Sequence, residues 1–269
     1  MQILLLATWP FRRLALFVTS VIRHSLQWFD SDEKLEADSG KFWVAARGRS
    51  LATNAHWRGH GPFRNDATWH ETGAMHKRLF IRAADWIGVD LHDCRIVEWG
   101  CGGGLNAVQF AAEAKEYFGV DVNSESLAEC ARQLTELNFD GFRPILVGVE
   151  DPEAAVDEIG GECDGFICTY VFELLPTRRY CERILEIAGR LLRKGGVALI
   201  QIRYPGKHLI SKSRRWNYGR NMPHMVTIGI EEFWEMARAS GFDPIFVSLL
   251  PQQPELSEER YAYFALQRL

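Results

Sequence analysis

The chain has 269 residues, of which 47% are hydrophobic and 25% are charged. Such a composition can bury a full core, so it excludes a disordered or fibrous protein and suits one large domain, with or without an attached cap. The formal net charge of -4 provides no global basic field that would draw the chain onto nucleic acid, and we expect no nucleic-acid partner.

The first 29 residues contain the only stretch apolar enough to suggest a membrane. They split into two short apolar runs around Pro10, Arg12 and Arg13, each well below the ~20 residues that a membrane span requires. We therefore predict no transmembrane segment. Beyond Arg13 the apolar residues recur at helical spacing, which predicts an amphipathic helix and leaves open a contact of residues 12–29 with a membrane surface. The apolar stripe consists of Leu14, Phe17, Val18, Val21 and Ile22.

Residues 1–90 are predicted to form an N-terminal cap of helices and loops. Within it, residues 30–66 are rich in Gly, Ser, Asp, Asn and Arg and lack sustained periodicity, which favours a loop-rich connection. Residues 67–88 have a helical pattern that ends at Gly88. The six cysteines of the chain are scattered and form no C-x-x-C pair, so we expect reduced thiols, a cytoplasmic protein and no metal site.

From Arg95 onward, strands alternate with helices in the pattern of a mostly parallel sheet that is covered on both faces. The first helix is predicted over LNAVQFAAEA, residues 105–114. The last two strands are joined by a Pro-rich loop instead of a helix, so we expect them to pair antiparallel. Residues 91–269 are thus predicted to be a doubly wound α/β domain with seven strands. These are RIVEW, EYFGVDV, RPILVGV, GFICTY, VALIQIRY, DPIFVSLL and YAYFALQ.

A glycine-rich turn follows the first strand, in VEWGCGGGLNA. Gly100, Gly102 and Gly104 allow the backbone to approach a ligand closely, and Glu98 before the turn favours a positively charged ligand group. Asp121, at the end of the second strand, can accept hydrogen bonds from both hydroxyls of a ribose. The G-x-G-x-G spacing departs from the G-x-G-x-x-G of dinucleotide-binding domains.

These motifs resemble those of class I S-adenosylmethionine-dependent methyltransferases, whose loop reads acidic-x-Gly-x-Gly-x-Gly. The resemblance extends over residues 91–269 and also includes FGVDVN, CDGFICTYVFELLP, LLRKGGVALIQ and ERYAYFALQRL. It implies that S-adenosylmethionine is the cofactor, with its methionine part in the glycine loop. It further implies that Asp121 binds the ribose and that Val122 or Asn123 flanks the adenine.

Two further contacts with the cofactor follow from the same resemblance. Members of the family often have an acid after the third strand that meets the adenine amine, and Glu150 or Asp151 is available there. The turn after the fourth strand corresponds to the active-site turn of the family, and we expect its Tyr170 to pack against the cofactor.

The resemblance implies methyl transfer, and we expect a small-molecule acceptor that is methylated on a hydroxyl oxygen, with nitrogen as the alternative. A base near the proton of a hydroxyl acceptor would assist the reaction, and the candidates are His224, His76 and Glu173. A macromolecule-directed methyltransferase, an oxidoreductase with the same sheet and a non-catalytic cofactor-binding partner subunit remain alternatives.

A long connection, RYPGKHLISKSRRWNYGRNMPHM, follows the fifth strand. It exceeds the usual connection of ~2–6 residues, which indicates a binding loop. Between Gln201 and Ile230 it carries six positive charges and no acid, which favours an acceptor with a carboxylate or phosphate. We predict acceptor contacts at Tyr204, Arg214 and Arg215, with a solvated basic loop as the alternative.

Overall fold

The computed structural model describes residues 14–15, 17–207, 211–249 and 260–269, and its strands form one sheet. The strands are β1 (Cys94–Trp99), β2 (Ala114–Asp121), β3 (Phe142–Leu146), β4 (Cys163–Cys168), β5 (Leu192–Arg203), β6 (Phe242–Leu249) and β7 (Tyr261–Arg268). Their order is β3-β2-β1-β4-β5-β7-β6. Strands β1 to β5 run parallel, and β7 lies antiparallel between β5 and β6. The predicted seven-stranded, mostly parallel α/β fold is confirmed.

Helices cover both faces of the sheet. Because side chains alternate along a strand, Phe166 and Cys168 of β4 join one hydrophobic core, whereas Ile167 between them joins the other. Residues 17–25 are helical, and the helices that follow them are α1 (Asp32–Ala45), α2 (Gly48–Asn54), α3 (Asp66–Ile87), α4 (Ala107–Phe110), α5 (Ser124–Thr135), α6 (Ala154–Ile159), α7 (Arg178–Leu191), α8 (Tyr218–Asn221) and α9 (Ile230–Ala239).

Helix α3 begins and ends where its sequence predicts. The side chain of Asn65 accepts a hydrogen bond from the backbone N–H of Ala67 and so caps the first turn. Gly88 follows the last turn with φ of 72°, a left-handed conformation that glycine adopts without a steric penalty. The prediction of a helix over residues 67–88 is confirmed.

The prediction of a loop-rich connection over residues 30–66 is wrong, since helices α1 and α2 both lie within it. Helix α1 has a Ser31 cap that accepts from Lys34 N, and Lys34 Nζ forms ion pairs with Asp30 and Asp38. Only two residues of the helix, Leu35 and Ser39, are fully buried. The apolar periodicity is weak because this helix has little contact with a core.

The first helix after the glycine loop is shorter than the predicted 105–114. Helix α4 covers only Ala107–Phe110, and a turn follows in which Glu113 N donates to Phe110 O. Ala114 already belongs to β2, where it pairs with Cys94 of β1. Pairing within the sheet therefore overrides the high helix propensity of the alanines at the end of the predicted helix.

Some predictions fall on residues outside the described ranges. These are residues 12, 13 and 16 of the predicted surface helix, and the Pro-rich loop between the last two strands, of which residues 250–259 are not described. Within the described ranges, no helix combines the length and the apolar character needed to cross a membrane. The six cysteines are all buried with free thiols.

Candidate active site

A cavity opens at the carboxyl ends of β1, β2 and β4. Strand β2 lies on one side of β1, and β4 lies on the other, so the strand order reverses at β1. Ligands of open α/β sheets bind at such a reversal. Six of the residues predicted to bind a cofactor line it. They are Glu98, Gly100, Gly102, Asp121, Val122 and Tyr170.

The glycine loop wraps around the ends of β1 and β2. The backbone N–H groups of Gly100 and Cys101 both donate to Val120 O, and Gly103 N donates to Ala55 O over 3.0 Å. Gly100 and Gly102 have φ of 73° and 51°, in the left-handed region that glycine favours. A Cβ at Gly102 would lie 2.4 Å from the carbonyl oxygen of Ala55, so only glycine lets the N-terminal segment approach this closely.

The Asp121 carboxylate faces the same loop. Its Oδ2 accepts from Gly102 N over 3.0 Å, and its Oδ1 accepts from Asn123 N over 2.9 Å. Burial raises the pKa of this carboxyl to about 6, and the backbone N–H groups partly offset that effect. At neutral pH Asp121 is therefore an ionised acceptor that is held in place by the loop it faces.

The Glu98 carboxyl lies deeper, at the end of β1. It accepts hydrogen bonds of 2.7 Å from Asn106 Nδ2 and from the Tyr117 hydroxyl. Burial nevertheless raises its pKa to about 8, because these two bonds do not replace its lost hydration. A cationic ligand group in the cavity would complete the environment of the ionised form.

A buried hydrogen-bond network extends from Glu98 to the opposite wall of the cavity. Asn106 links Glu98 to His76, whose Nδ1 lies 2.8 Å from Asn106 Oδ1. His76 Nε2 lies 3.4 Å from the Tyr263 hydroxyl, which in turn lies 3.5 Å from the Tyr170 hydroxyl. Burial lowers the pKa of His76 to about 4, so this link is a neutral imidazole at physiological pH.

Tyr170 adopts an unusual backbone conformation directly after β4. Its φ of 59° is rare for an aromatic residue, and its N–H donates to Gln201 Oε1 of β5. Burial raises the pKa of its hydroxyl to about 12, so the hydroxyl stays protonated at neutral pH. Strained residues of this kind cluster at functional sites, where the surrounding structure holds them.

The N-terminal segment forms one wall of the cavity through five residues. Trp43 is linked to the body of the domain, because its Nε1 donates to the Tyr218 hydroxyl over 2.9 Å and that hydroxyl donates to Leu174 O over 2.6 Å. Tyr218 and Leu174 also line the cavity. The five wall residues are Ser39, Trp43, Asn54, Ala55 and His56.

Three residues predicted to bind the cofactor lie beside the cavity and do not line it. Gly104 packs against α5, where an added Cβ would lie 3.1 Å from Cys130 Sγ. Asn123 caps α5, and its Nδ2 donates to Trp43 O over 2.9 Å, so it fixes the end of α1. Glu150 is exposed after β3, and so is the alternative Asp151.

The three predicted bases are also absent from the lining. His76 lies behind Tyr170 in the buried network. The Nδ1 of His224 contacts the guanidinium of Arg203, and burial together with the nearby arginines lowers the His224 pKa to about 3. Glu173 is buried, and its carbonyl accepts from the backbone N–H of Met225.

The predicted acceptor residues in the long connection lie outside the cavity as well. Tyr204 N donates to Arg260 O at the end of the sheet. Arg214 is buried, and its N–H donates to His224 O. The Arg215 guanidinium forms a 2.8 Å ion pair with Asp32 of α1 and lies over the Phe29 ring. The residue of this connection that does line the cavity is Tyr218.

Several cavity residues carry no recognisable signal in the sequence. His56, Trp43 and Tyr218 reach the cavity from segments that are far apart in the chain, and none belongs to a motif with fixed spacing. Two other cavity residues are closer to the predicted motifs. Asn106 follows the glycine loop, and Thr169 directly follows β4. A polar residue directly after a parallel strand is the signal that points to Thr169.

The profile of a methyltransferase-domain family matches residues 67–246 of the chain. No curated protein sequence matches the chain significantly. The matched range contains the glycine loop, both cavity carboxylates and Tyr170.

Solved structures with the same fold include three that illustrate its range. The first is 1,6-didemethyltoxoflavin-N1-methyltransferase from Burkholderia thailandensis with bound 1,6-didemethyltoxoflavin and S-adenosylhomocysteine, at a TM-score of 0.55 and 16% identity over 76% of this chain and 81% of that one. The [4+2]-cyclase SpnF has a TM-score of 0.53 and 15% identity, with 71% and 80% covered. A putative S-adenosylmethionine-dependent methyltransferase from Listeria monocytogenes has a TM-score of 0.51 and 12% identity, with 70% and 98% covered.

Proposed function

Because the chain belongs to the methyltransferase-domain family, we propose that it transfers the methyl group of S-adenosylmethionine to a small neutral acceptor, on a hydroxyl oxygen. The observation that carries this proposal is that one cavity joins the glycine loop, Glu98 and Asp121 to an aromatic wall. The first three are the features that the resemblance assigns to the cofactor.

The residues present fit this cofactor. Glu98 is buried with a raised pKa, as expected for a carboxyl whose cationic partner belongs to a ligand. Asp121 is held by two backbone N–H groups and can accept from ribose hydroxyls with its remaining lone pairs. Val122, Val147 and Val149 provide an apolar surface next to it that suits the adenine.

When bound, S-adenosylmethionine supplies an electrophilic methyl group with a neutral thioether as the leaving group. The chain then has to position the acceptor and exclude water, which can account for most of the catalysis. Trp43, Leu174 and Tyr218 provide an aromatic and aliphatic part of the lining of the same cavity. The protonated Tyr170 hydroxyl is available as a hydrogen-bond donor to the acceptor.

A neutral acceptor suits the cavity better than an anionic one. None of the described residues that line the cavity is a lysine or an arginine, whereas two of them, Glu98 and Asp121, are acidic. The arginine pair predicted for an anionic acceptor is engaged elsewhere, with Arg215 on Asp32. No described side chain of the lining would therefore supply a cation to an anionic acceptor.

A second candidate function is cofactor binding without methyl transfer. It is favoured by the likeness to SpnF, because that protein is a [4+2]-cyclase with the same fold. Fold alone does not decide between the two functions.

Binding and turnover measured on the same protein test the proposal. We expect S-adenosylhomocysteine to raise the melting temperature and NAD to leave it unchanged, since a ligand at 100 times its Kd stabilises by about 2.7 kcal/mol. A screen of neutral hydroxylated compounds that follows S-adenosylhomocysteine release then identifies the acceptor. Stabilisation by NAD would contradict the proposed cofactor. Binding of S-adenosylhomocysteine without turnover of any compound would favour the second candidate.

A membrane-surface contact of residues 12–29 is a separate part of the proposed function. The apolar stripe of its helix faces solvent, with Phe17, Val18 and Ile22 each about half exposed. The opposite side holds the helix to the domain, since the Arg23 guanidinium lies 5.2 Å from the centre of the Trp216 ring. This orientation supports insertion of the stripe into a lipid surface.

A further inference from the structure

His56 is a histidine of the cavity that no motif assigns. It lies in the N-terminal segment after α2, and its ring faces Tyr170 edge to face with 4.9 Å between the ring centres. The same ring packs against Phe63 on its other side, at 5.1 Å. Its imidazole is therefore fixed in the lining of the cavity, beside Tyr170.

The backbone at His56 adopts a left-handed conformation. Its φ is 57°, a region in which residues other than glycine are uncommon, although histidine is enriched there together with asparagine and aspartate. Hydrogen bonds hold the backbone on both sides, with Gly103 N donating to Ala55 O and Trp69 Nε1 donating to His56 O over 2.9 Å. These bonds fix the backbone from which the His56 side chain enters the cavity lining.

The ring nitrogens of His56 have no hydrogen-bond partner among the described residues. The other two candidate histidines differ, because His76 is bonded to Asn106 and His224 contacts Arg203. Burial lowers the pKa of His56 to about 4, so its imidazole is neutral at physiological pH and has a free lone pair. Tyr170 cannot take this role, because burial raises the pKa of its hydroxyl to about 12.

We propose that His56 is the general base of the reaction and that the acceptor is a flat, neutral aromatic compound with a hydroxyl group. This inference rests on the proposed function. As the acceptor oxygen bonds to the methyl carbon, the carbon–sulfur bond breaks and its electron pair goes to sulfur. The acceptor proton moves to a ring nitrogen of His56, which releases it to water. A weak base suffices, because the hydroxyl becomes far more acidic as its oxygen gains positive charge.

The other titratable groups at this cavity do not compete for the proton. Glu98 and Asp121 flank the glycine loop, and the proposed function assigns both to the cofactor. Tyr180 and Tyr218 have hydroxyls whose pKa is raised by burial. The aromatic wall of Trp43, Tyr170 and Tyr218 suits a planar acceptor that packs face or edge against it.

The test compares His56→Asn with His60→Asn, a control in the same segment outside the cavity lining. Asparagine tolerates a positive φ, so the backbone strain at residue 56 is not increased. The acceptors are phenol, which is protonated at pH 8, and 4-nitrophenol, which is largely ionised there. We expect His56→Asn to lower the rate with phenol by about 10²- to 10⁴-fold and to leave 4-nitrophenol close to the wild-type rate. His60→Asn should change neither.

A second readout needs no turnover. In an NMR titration of the ligand-free protein, the imidazole signal that disappears in His56→Asn should report a pKa well below 6.5. Phenol added to the complex with S-adenosylhomocysteine should shift that signal. Equal loss of rate with both phenols, an ordinary pKa or an unshifted signal would overturn the assignment of His56. Failure to methylate either phenol, by a protein that binds S-adenosylhomocysteine, would overturn the acceptor class and leave the proposed cofactor intact. Failure to bind S-adenosylhomocysteine would overturn the proposed function itself.

Discussion

At the scale of single residues, the two cavity carboxyl groups differ in how they are solvated by the protein. Asp121 keeps two backbone N–H donors, and burial raises its pKa only to about 6. Glu98 receives side-chain hydrogen bonds deeper in the fold, and its pKa rises to about 8. At pH 7 the ligand-free protein therefore holds one ionised and one largely protonated carboxyl group in the same cavity.

Protonation of Glu98 should make the stability of the ligand-free protein depend on pH. Because its pKa is 4.5 when unperturbed and about 8 in the folded protein, the folded state holds the extra proton between these values. Between about pH 6.5 and 8, above the pH range in which Asp121 and the buried histidines exchange protons, the stability of the ligand-free protein should thus fall as the pH rises, and Glu98→Gln should remove this fall. Chemical denaturation at several pH values measures it. Parallel pH profiles for wild type and variant would contradict the raised pKa.

The ligand should displace the proton of Glu98. An ammonium group beside Glu98 favours its ionised form, so binding of S-adenosylhomocysteine at pH 7 should release a proton. Titration calorimetry in two buffers of different ionisation enthalpy measures that release. We expect it to be absent in Glu98→Gln, which should also bind the ligand more weakly.

Asp121→Ala should weaken S-adenosylhomocysteine binding by about 2–3 kcal/mol, since it removes charge-assisted hydrogen bonds to the ribose. Asp140→Ala changes an exposed carboxylate on the same domain and provides the control. Calorimetry measures both variants, and a denaturation curve checks that the loop at Gly102 remains folded. Wild-type affinity in a folded Asp121→Ala protein would disprove the ribose assignment.

At the scale of elements, the glycine loop and the N-terminal segment form one structural unit. The hydrogen bond from Gly103 N to Ala55 O joins them, and a side chain at Gly102 would collide with the same carbonyl. The segment also carries Trp43, His56 and other wall residues. Movement of this contact would therefore alter the cofactor loop and the acceptor wall together.

Gly102→Ala should disrupt this contact and lower both the melting temperature and the affinity for S-adenosylhomocysteine. Gly48→Ala is a matched control, because Gly48 has a similar φ of 57° and an added Cβ there would meet nothing within 4 Å. Both variants add the same backbone strain, and only Gly102→Ala adds the collision with Ala55 O. Equal effects of the two substitutions would show that backbone strain alone accounts for the loss.

The parallel sheet could be predicted because its strands are long apolar runs, as in β5, whose last eight residues are all buried. The meeting of Glu98, Gly100 and Asp121 in one cavity could be predicted for a similar reason, since these residues lie at strand ends. Helix α1 was harder to predict, although the Ser31 cap and the ion pairs of Lys34 are visible in the sequence. A helix with so little buried surface has no apolar period to detect.

The rest of the cavity lining could not be predicted because its residues meet only in the folded chain. His56 stands in a segment without periodicity, and it contacts Tyr170, which follows more than a hundred residues later. The long basic connection shows the same limit in a different way. Its charges suggest a free binding surface, but Arg215 is paired with Asp32 of α1. The sequence shows where charged side chains lie along the chain, but it does not show which opposite charges the fold brings next to them.

At the scale of the whole molecule, the exposed stripe of residues 17–25 should act independently of the cavity. We expect the triple variant Phe17→Ser, Val18→Ser and Ile22→Ser to lose binding to vesicles that contain phosphatidylserine. Its melting temperature and S-adenosylhomocysteine affinity should stay at wild-type values, because exposed positions contribute about 0.5 kcal/mol or less each. Leu137→Ser, at another exposed leucine, is the control for sedimentation. A wild-type protein that stays in the supernatant would refute the membrane contact.

The antiparallel strand β7 affects the order in which the sheet can be completed during folding. Strand β7 lies between β5 and β6, and β6 pairs only with β7 among the described strands. Until β7 is in place, β6 therefore has no neighbour to join, and one edge of β5 stays open. An open apolar edge invites pairing with other chains. The protein is therefore most vulnerable to aggregation in folding intermediates that lack β7.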